Sequence, residues 1–334
     1  MTTTTATTEA EWLDWRRQGV TATDVANAYT GSYGGSHAIV ARKLGMLAPE
    51  ETNERMERGN RWETRVADLV HVATGLYVHG EQTWCQNADH PHHRATIDGL
   101  LSPLAAASMD DIDAVLETKT NGVGARPAWD RWNAQVQWQL WCTGMPRGLI
   151  ARAVIDDTDD TFRSLDVSWV ERDDFLISVL IDLAEMMWTH IQTGTLPDPD
   201  TPTALDTVKE VHALADLDAL PVDLSDHADE LRRFIAIKGA VKAVEDERDL
   251  IEARIRARLG HATKGTADGL TVSLSKPRAA FTPEAEQAFL DIHPDAKTKT
   301  VLDRTAAKAL DKALYDELSQ PIGARTLTIK ETKK

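Results

Sequence analysis

A chain of 334 residues is longer than one hydrophobic core usually supports, so two domains are the starting expectation, and a 42% hydrophobic content excludes a largely disordered chain. Two cysteines, Cys85 and Cys142, are too few for a four-cysteine iron–sulfur cluster and fit a reducing cytosolic compartment, while a formal net charge of −16 disfavours non-specific nucleic-acid binding without excluding a locally basic site.

The Thr-rich start lacks the basic and apolar stretches of a secretion signal, and residues 1–9 read as a disordered tail. Residues 9–17 predict a short helix. A second follows the turn at Thr21-Ala22-Thr23-Asp24, with Thr21 or Thr23 as its cap. Residues 58–74 are amphipathic, with Trp62, Val66, Leu69, Val70 and Ala73 on one face. Residues 77–84, 94–101 and 114–120 read as strands, 129–142 as a helix stopped by Gly144 and Pro146, 147–155 and 162–169 as strands, and 171–193 as a long closing helix. This order predicts an α/β layered core with a mixed sheet. No run of apolar residues is long enough for a membrane span.

All ten tryptophans precede residue 189, and only Lys43 and Lys119 precede residue 195. The composition changes at the Pro-rich stretch 194–202, so a first domain over 10–195 and a linker over 196–205 are expected. The rest, 206–334, reads as a mainly helical accessory domain. It has a short opening helix over 206–214, a long helix over 226–259, a hairpin at Asp268-Gly269, helices over 283–290 and 304–318, and a last strand over 324–330. It carries no catalytic constellation; its long helix suits self-association, partner docking or packing on a core of its own.

The chemistry lies in Thr96-Ile97-Asp98-Gly99 and Glu117-Thr118-Lys119. Strand side chains alternate, so Glu117 and Lys119 project together, roughly 6–7 Å apart, with Thr118 opposed. If the strands pair, Asp98 and Glu117 converge on one hard divalent cation, Mg²⁺ or Mn²⁺. Carboxylate-held cations and a lysine beside a water suit phosphodiester hydrolysis. Taken singly, an E-x-K triplet is a weak signal and reads rather as a surface strand with a cross-strand ion pair.

Three further segments accompany it: Trp12 to Thr23 with Arg16, Arg17 and Gly19; Arg58-Gly59-Asn60-Arg61-Trp62-Glu63, which places Glu63 early on its helix; and Ala134-Gln135-Val136-Gln137-Trp138-Gln139, where Gln135 and Gln139 share a face. Together, in this order, residues 10–195 resemble the YqaJ-like, phage lambda-type exonuclease family of the PD-(D/E)XK nuclease superfamily. The resemblance implies a restriction-endonuclease-like core, a mixed central sheet flanked by helices. It implies Asp98 and Glu117 as metal ligands, Lys119 as the catalytic lysine, and Glu63 and Gln135 as supporting site residues. Arg16 and Thr23 match the arginine and serine that bind a DNA 5′-phosphate, with Arg17 the alternative to Arg16. Thr96 matches the hydroxyl residue of (S/T)-P-D-G and joins the phosphate-binding group. Ile97 stands where that motif has proline, and Thr23 where the other has serine.

The implied function is a Mg²⁺-dependent 5′-to-3′ exonuclease on double-stranded DNA ends. It would leave 3′ tails for strand annealing, act as a ring-shaped homotrimer beside a single-strand annealing protein, and work in a bacterial host's cytosol if phage-encoded. Another endonuclease of the superfamily, or a non-catalytic DNA-binding or assembly protein, are the alternatives. His90, His92 and His93 beside Asp89 raise a zinc site, but the preferred reading is an exposed loop with incidental histidines. Trp129, Trp132, Trp138 and Trp141 read as core and interface rather than base-stacking groups. The acidic runs at 110–113 and 156–160 read as solvated turns.

Overall fold

The β-branched and aliphatic run Ala114-Val115-Leu116 continues into Glu117 without an exposed position, as expected for a strand covered on both faces. In the computed structural model, which describes residues 2–4, 9–48, 54–80, 82–156, 158–213, 221–268 and 270–273, this strand is the centre of a five-stranded sheet.

In chain order the strands are β1 (Thr2–Thr4), β2 (Val20–Thr21), β3 (Tyr77–His79), β4 (Thr83–Gln86), β5 (His93–Ile97), β6 (Gly99–Ser102), β7 (Ala114–Gly122), β8 (Arg147–Asp156) and β9 (Thr161–Glu171). The helices of the same region are α1 (Glu9–Arg17), α2 (Ala22–Tyr29), α3 (Gly35–Lys43), α4 (Glu54–Thr74), α5 (Trp129–Thr143), α6 (Asp174–Thr193) and α7 (Leu205–Val211). The main sheet has the order β3-β6-β7-β8-β9, with β7 and β8 parallel and the other pairs antiparallel. Helix α5 is the crossover between the parallel pair, ended by Gly144 in the left-handed region. A smaller sheet has the order β1-β4-β5-β2.

Strand alternation divides the core. Leu116, Leu149 and Ala151 pack with Trp62, Val66 and Val70 of α4. Val115 and Ile150 face the other way, onto Val136 and Leu140 of α5 and Leu180 and Ala184 of α6. The mixed α/β layering expected from the sequence is present. No described helix is long and apolar enough to cross a membrane.

Several boundaries differ from the expectations. The stretch 77–84 is two strands in two sheets, because Gly80 and Gln82 take positive φ and turn the chain. The stretch 94–101 likewise breaks at Asp98, β5 belonging to the small sheet and β6 to the large one. Gly99 is obligatory at that crossing, since a Cβ there would meet Val78 Cγ1 at 2.5 Å. Helix α4 begins at Glu54, so Glu63 lies mid-helix rather than near its start. Helix α6 begins at Asp174, where Asp173 caps Phe175 N and Leu176 N. Helix α3 was not anticipated. The start of the 1–9 tail is a strand, Thr2 to Thr4 pairing with Gln86 to Trp84.

The Pro-rich segment is not a free linker. Pro197 O accepts from His37 Nδ1 at 2.7 Å, the hydroxyls of Thr201 and Thr203 donate to Gly31 O, and Gly34 N donates to Thr203 Oγ1. The turn glycines of the 31–35 region thus find their partners in that segment, which holds it and α7 in the first unit. The chain divides instead after Ala213. In the second unit, α8 (Ala228–Leu259) and the hairpin β10 (Lys264–Ala267) and β11 (Leu270–Ser273) are described, with Asp268 at positive φ in the turn. The helices expected over 283–290 and 304–318 and the strand over 324–330 lie outside the described residues.

Candidate active site

The antiparallel register Gly99↔Leu116 places Asp98 across from Glu117. Asp98 Oδ2 accepts from Thr118 N at 2.6 Å and Thr118 Oγ1 at 2.8 Å, so its carboxylate is clamped at the point where the chain leaves one sheet for the other. Glu117 is 2% exposed and faces α5. Its Oε1 accepts from Lys119 Nζ and, at 2.7 Å, from Gln135 Nε2; its Oε2 accepts from Gln139 Nε2 at 2.5 Å. Lys119 Nζ also donates to Gln135 Oε1 at 3.1 Å. The lysine is thereby held by two acceptors on one side, as the i, i+2 strand spacing requires.

Glu63 is close enough to act on Asp98 electrostatically. Burial pushes the Asp98 carboxyl up to about 8, with Glu117 the next cause and Glu63 adding to it, against the opposing pull of Lys119 and the Thr118 amide. Two carboxylates thus act on Asp98 against the ammonium of Lys119. The excess negative charge and hard oxygen donors fit a divalent cation. Gln82 Nε2 donates to Glu63 Oε1.

The N-terminal segment reaches the same place. A cavity of about 140 Å³ is lined by Arg16, Thr23, Thr96, Asp98, Gln135 and Trp12, among others. Arg16 lies over the Trp12 ring at 4.5 Å, and Trp12 Nε1 donates to Thr96 Oγ1 at 3.3 Å. Arg17 is exposed and does not line the cavity. Thr21, not Thr23, caps α2 in a capping box with Asp24, which leaves the Thr23 hydroxyl for the cavity. A Cβ on Gly19 would meet His92 O at 2.4 Å, so only glycine lets this segment approach β5.

Beneath it lies a buried ion pair. Lys43 Nζ is 2.8 Å from Asp24 Oδ2 and donates to the carbonyls of Arg16 and Gly19, each at 2.7 Å. Burial pushes the Asp24 carboxyl up, yet Lys43, Arg16 and the hydrogen bonds outweigh it and hold the group below its ordinary value.

The residues matched to the family's nuclease motifs border one site, with Arg16, Thr23, Thr96, Asp98 and Gln135 at the cavity and Glu117, Lys119 and Glu63 joined to it through Gln135 and Gln82. Residues 11–146, which include all of them, match the family described as the YqaJ-like viral recombinase domain. The match covers less than half of the chain. No curated protein matches the sequence. Among solved structures, the chain is similar to the alkaline exonuclease LHK-Exo from Laribacter hongkongensis, at 21% identity and TM-score 0.41, over 55% of this chain and 93% of that one. The complex of LHK-Exo with dAMP gives 21% and 0.42 over the same shares. A phage related exonuclease from Haemophilus somnus 129PT gives 14% and 0.41, over 52% of this chain and 94% of that one.

Some residues of the YqaJ-like domain site went unread. Gln139 binds the second oxygen of Glu117 and also donates to Thr96 O at 3.2 Å; its i, i+4 relation to Gln135 was the available signal. Lys43 shared with Lys119 the rarity of lysine in this region, but only Lys119 sat in a recognisable triplet. Thr118 was set aside as facing away, and it is what fixes Asp98. The histidine loop is not the exposed loop expected: His93 is fully buried, and its acidic neighbour is Glu185 of α6, not Asp89.

Proposed function

We propose that the YqaJ-like domain is a metal-dependent exodeoxyribonuclease that degrades duplex DNA from 5′ ends and leaves 3′ single strands for recombination by annealing. The observation that carries this reading is the shared cavity: a guanidinium and two hydroxyls, Arg16, Thr23 and Thr96, open directly onto Asp98 and Gln135. A guanidinium and hydroxyls suit a terminal phosphate, and carboxylates beside them suit the next phosphodiester.

Asp98 and Glu117 would hold Mg²⁺ or Mn²⁺, which supplies positive charge to the scissile phosphate. Hydrolysis adds water oxygen to phosphorus and breaks the P–O3′ bond, so the end nucleotide leaves as a 5′-monophosphate and the new end carries another. Lys119, oriented by Glu117 and Gln135, places an ammonium where the attacking water and the gathering negative charge lie. Gln135 and Gln139 hold the Glu117 carboxylate in one orientation. Arg16, stacked on Trp12, positions the strand end.

The proposal extends to assembly as a homotrimer with a single-strand annealing protein in a bacterial host's cytosol. Its support is α8, where Phe234, Ile237, Val241, Val244, Ile251 and Ile255 are 40 to 66% exposed, an apolar series suited to a partner.

The test is initial rates with Mg²⁺ on linear duplexes bearing 5′-phosphate or 5′-hydroxyl ends, beside a closed circle. Phosphorylated ends should be digested fastest and the circle should resist. Ready cleavage of the circle would replace this reading with an endonuclease.

A further inference from the structure

Three imidazoles converge on one carboxylate oxygen away from the carboxylate site. Glu185 Oε1 is 3.0 Å from His92 Nε2, 3.1 Å from His93 Nε2 and 3.4 Å from His90 Nδ1. One ligand atom from each of the four residues lies within 4.8 Å of the others. A carboxylate oxygen offers two lone pairs, so three ring nitrogens are more than it can accept from. His93 Nε2 is accordingly buried without a hydrogen bond, although it points at that oxygen. A cation among these groups relieves the crowding, because the neutral imidazoles of His90 and His92 and the carboxylate can each present a lone pair to it.

The tautomer of His93 sorts the four residues into roles. Trp141 Nε1 lies 3.0 Å from His93 Nδ1, and an indole nitrogen can only donate. Nδ1 is therefore bare and Nε2 carries the proton of the neutral ring. His93 is then not a ligand; its Nε2–H faces Glu185 Oε1 at 3.1 Å without completing a hydrogen bond to it. His90 Nδ1, His92 Nε2 and Glu185 Oε1 are left as three ligands.

The rings are held in place before any ion arrives. His92 stacks on Trp188 at 5.1 Å, His90 stacks on His93 at 4.8 Å, and the His90 amide donates to Asn87 Oδ1 at 3.1 Å. The His90 and Glu185 side chains are 40% and 41% exposed, which leaves an approach for the ion and a position for water.

We infer that His90, His92 and Glu185 form a second metal site, selective for Zn²⁺ or a similar imidazole-binding ion such as Co²⁺ or Ni²⁺ rather than Mg²⁺. It is separate from the carboxylate site: β5 runs from His93 to Ile97, so Asp98 lies roughly 16 Å along the chain from His93. An ion there ties α6 to the loop before β5. His92 O in that loop accepts from Val20 N at 2.7 Å, so the tie reaches the strand that follows Arg16 and Gly19. The site stands on its own geometry and does not depend on the nuclease reading.

The experiment uses the full chain, stripped with chelator and then dialysed against Zn²⁺, with metal counted by elemental analysis and the coordination read from Co²⁺ visible absorption. To keep the carboxylate site out of the count, Glu117→Gln is the background. One equivalent of Zn²⁺ should remain in Glu117→Gln, with the intense absorption of four-coordinate Co²⁺ and a higher Tm. Adding His90→Ala or Glu185→Gln, each at a partly exposed side chain, should weaken retention at least about 30-fold. No Zn²⁺ retained by the folded protein overturns the inference, and so does retention unchanged by both substitutions.

Discussion

The crowding of carboxylates around Asp98 has a measurable effect on the metal-free protein. The folded-state value of about 8 lies well above the 3.8 of a free aspartate, so between pH 4 and 8 the folded chain holds a proton that the unfolded chain releases. Stability contributed by that proton is complete below pH 4 and is lost as the pH rises towards 8. Each unit corresponds to about 1.4 kcal/mol, which gives a limit near ~6 kcal/mol over the window. Asp98 keeps some solvent contact, so about half of that, ~3 kcal/mol, is the expected loss. Asp98→Asn removes the charge and keeps the geometry, because both Thr118 hydrogen bonds fall on one oxygen, which the amide oxygen can replace. In EDTA at pH 8.5 the variant should therefore be more stable than the parent by ~3 kcal/mol. For a unit of this size that is roughly 6–12 °C in the Tm of the transition. At pH 5 the gap should shrink to below about 1 kcal/mol. Saturating Mg²⁺ should raise the parent's Tm and leave that of the inactive variant unmoved. Thermal unfolding followed by circular dichroism at both pH values decides it. An Asp98→Asn Tm at or below the parent's in EDTA at pH 8.5 would refute the electrostatic account of the site.

Lys119→Ala should lower turnover roughly 10²-fold while Mg²⁺ binding persists, and Lys119→Arg should not restore it, since the planar fork cannot take the seat between Glu117 and Gln135; single-turnover rates beside calorimetric Mg²⁺ titration separate the two. Arg16→Ala should erase the ratio of rates on 5′-phosphate and 5′-hydroxyl ends while slow cleavage continues, and Arg17→Ala, outside the cavity, should preserve it. Lys43→Met leaves Asp24 buried without its partner and should cost about 3–5 kcal/mol in denaturant unfolding, a loss that Asp24→Asn in the same chain partly reverses. DNA binding by Glu117→Gln should fall with salt at a log–log slope of roughly −4, set by Arg16, Arg58, Arg126 and Arg131, and Arg126→Ala should bring that slope closer to zero by about 1.

What the sequence disclosed follows from how local each signal was. The alternation that aligns Glu117 with Lys119 and the 3.6-residue period that aligns Gln135 with Gln139 need no tertiary knowledge, and both are present. The strand breaks were not legible, because 77–84 and 94–101 each keep a strand-like composition through the turn. Only the requirement for Gly99 under Val78 and the positive φ of Gly80 and Gln82 separate the sheets. The Pro-rich segment misled for the opposite reason. Its composition is that of a linker, while its threonine hydroxyls serve the carbonyl and amide groups of glycines more than 160 residues earlier. Glu185 could not be joined to the histidine loop from the sequence for the same reason of separation.

The charge of the chain also resolves once the side chains are placed. A net −16 seemed to oppose a nucleic-acid substrate. Lys119 lines a cavity of about 660 Å³ whose other walls include Arg58, Arg126 and Arg131 and, among the described residues, no acidic one. Arg16 lines the smaller cavity, where the one acidic wall among the described residues is Asp98, a proposed metal ligand. Arginines thus line both clefts, one bordered by Lys119 and the other by Asp98, and a bound divalent ion would offset the negative charge at the second. Away from the clefts, Asp111 bonds to Ser108, and Asp156 to Thr158 and Arg163. On the proposed reading, segregation of this kind would let an acidic protein hold a phosphate backbone in one orientation, with contact to DNA confined to the arginine-lined clefts beside Lys119 and Asp98.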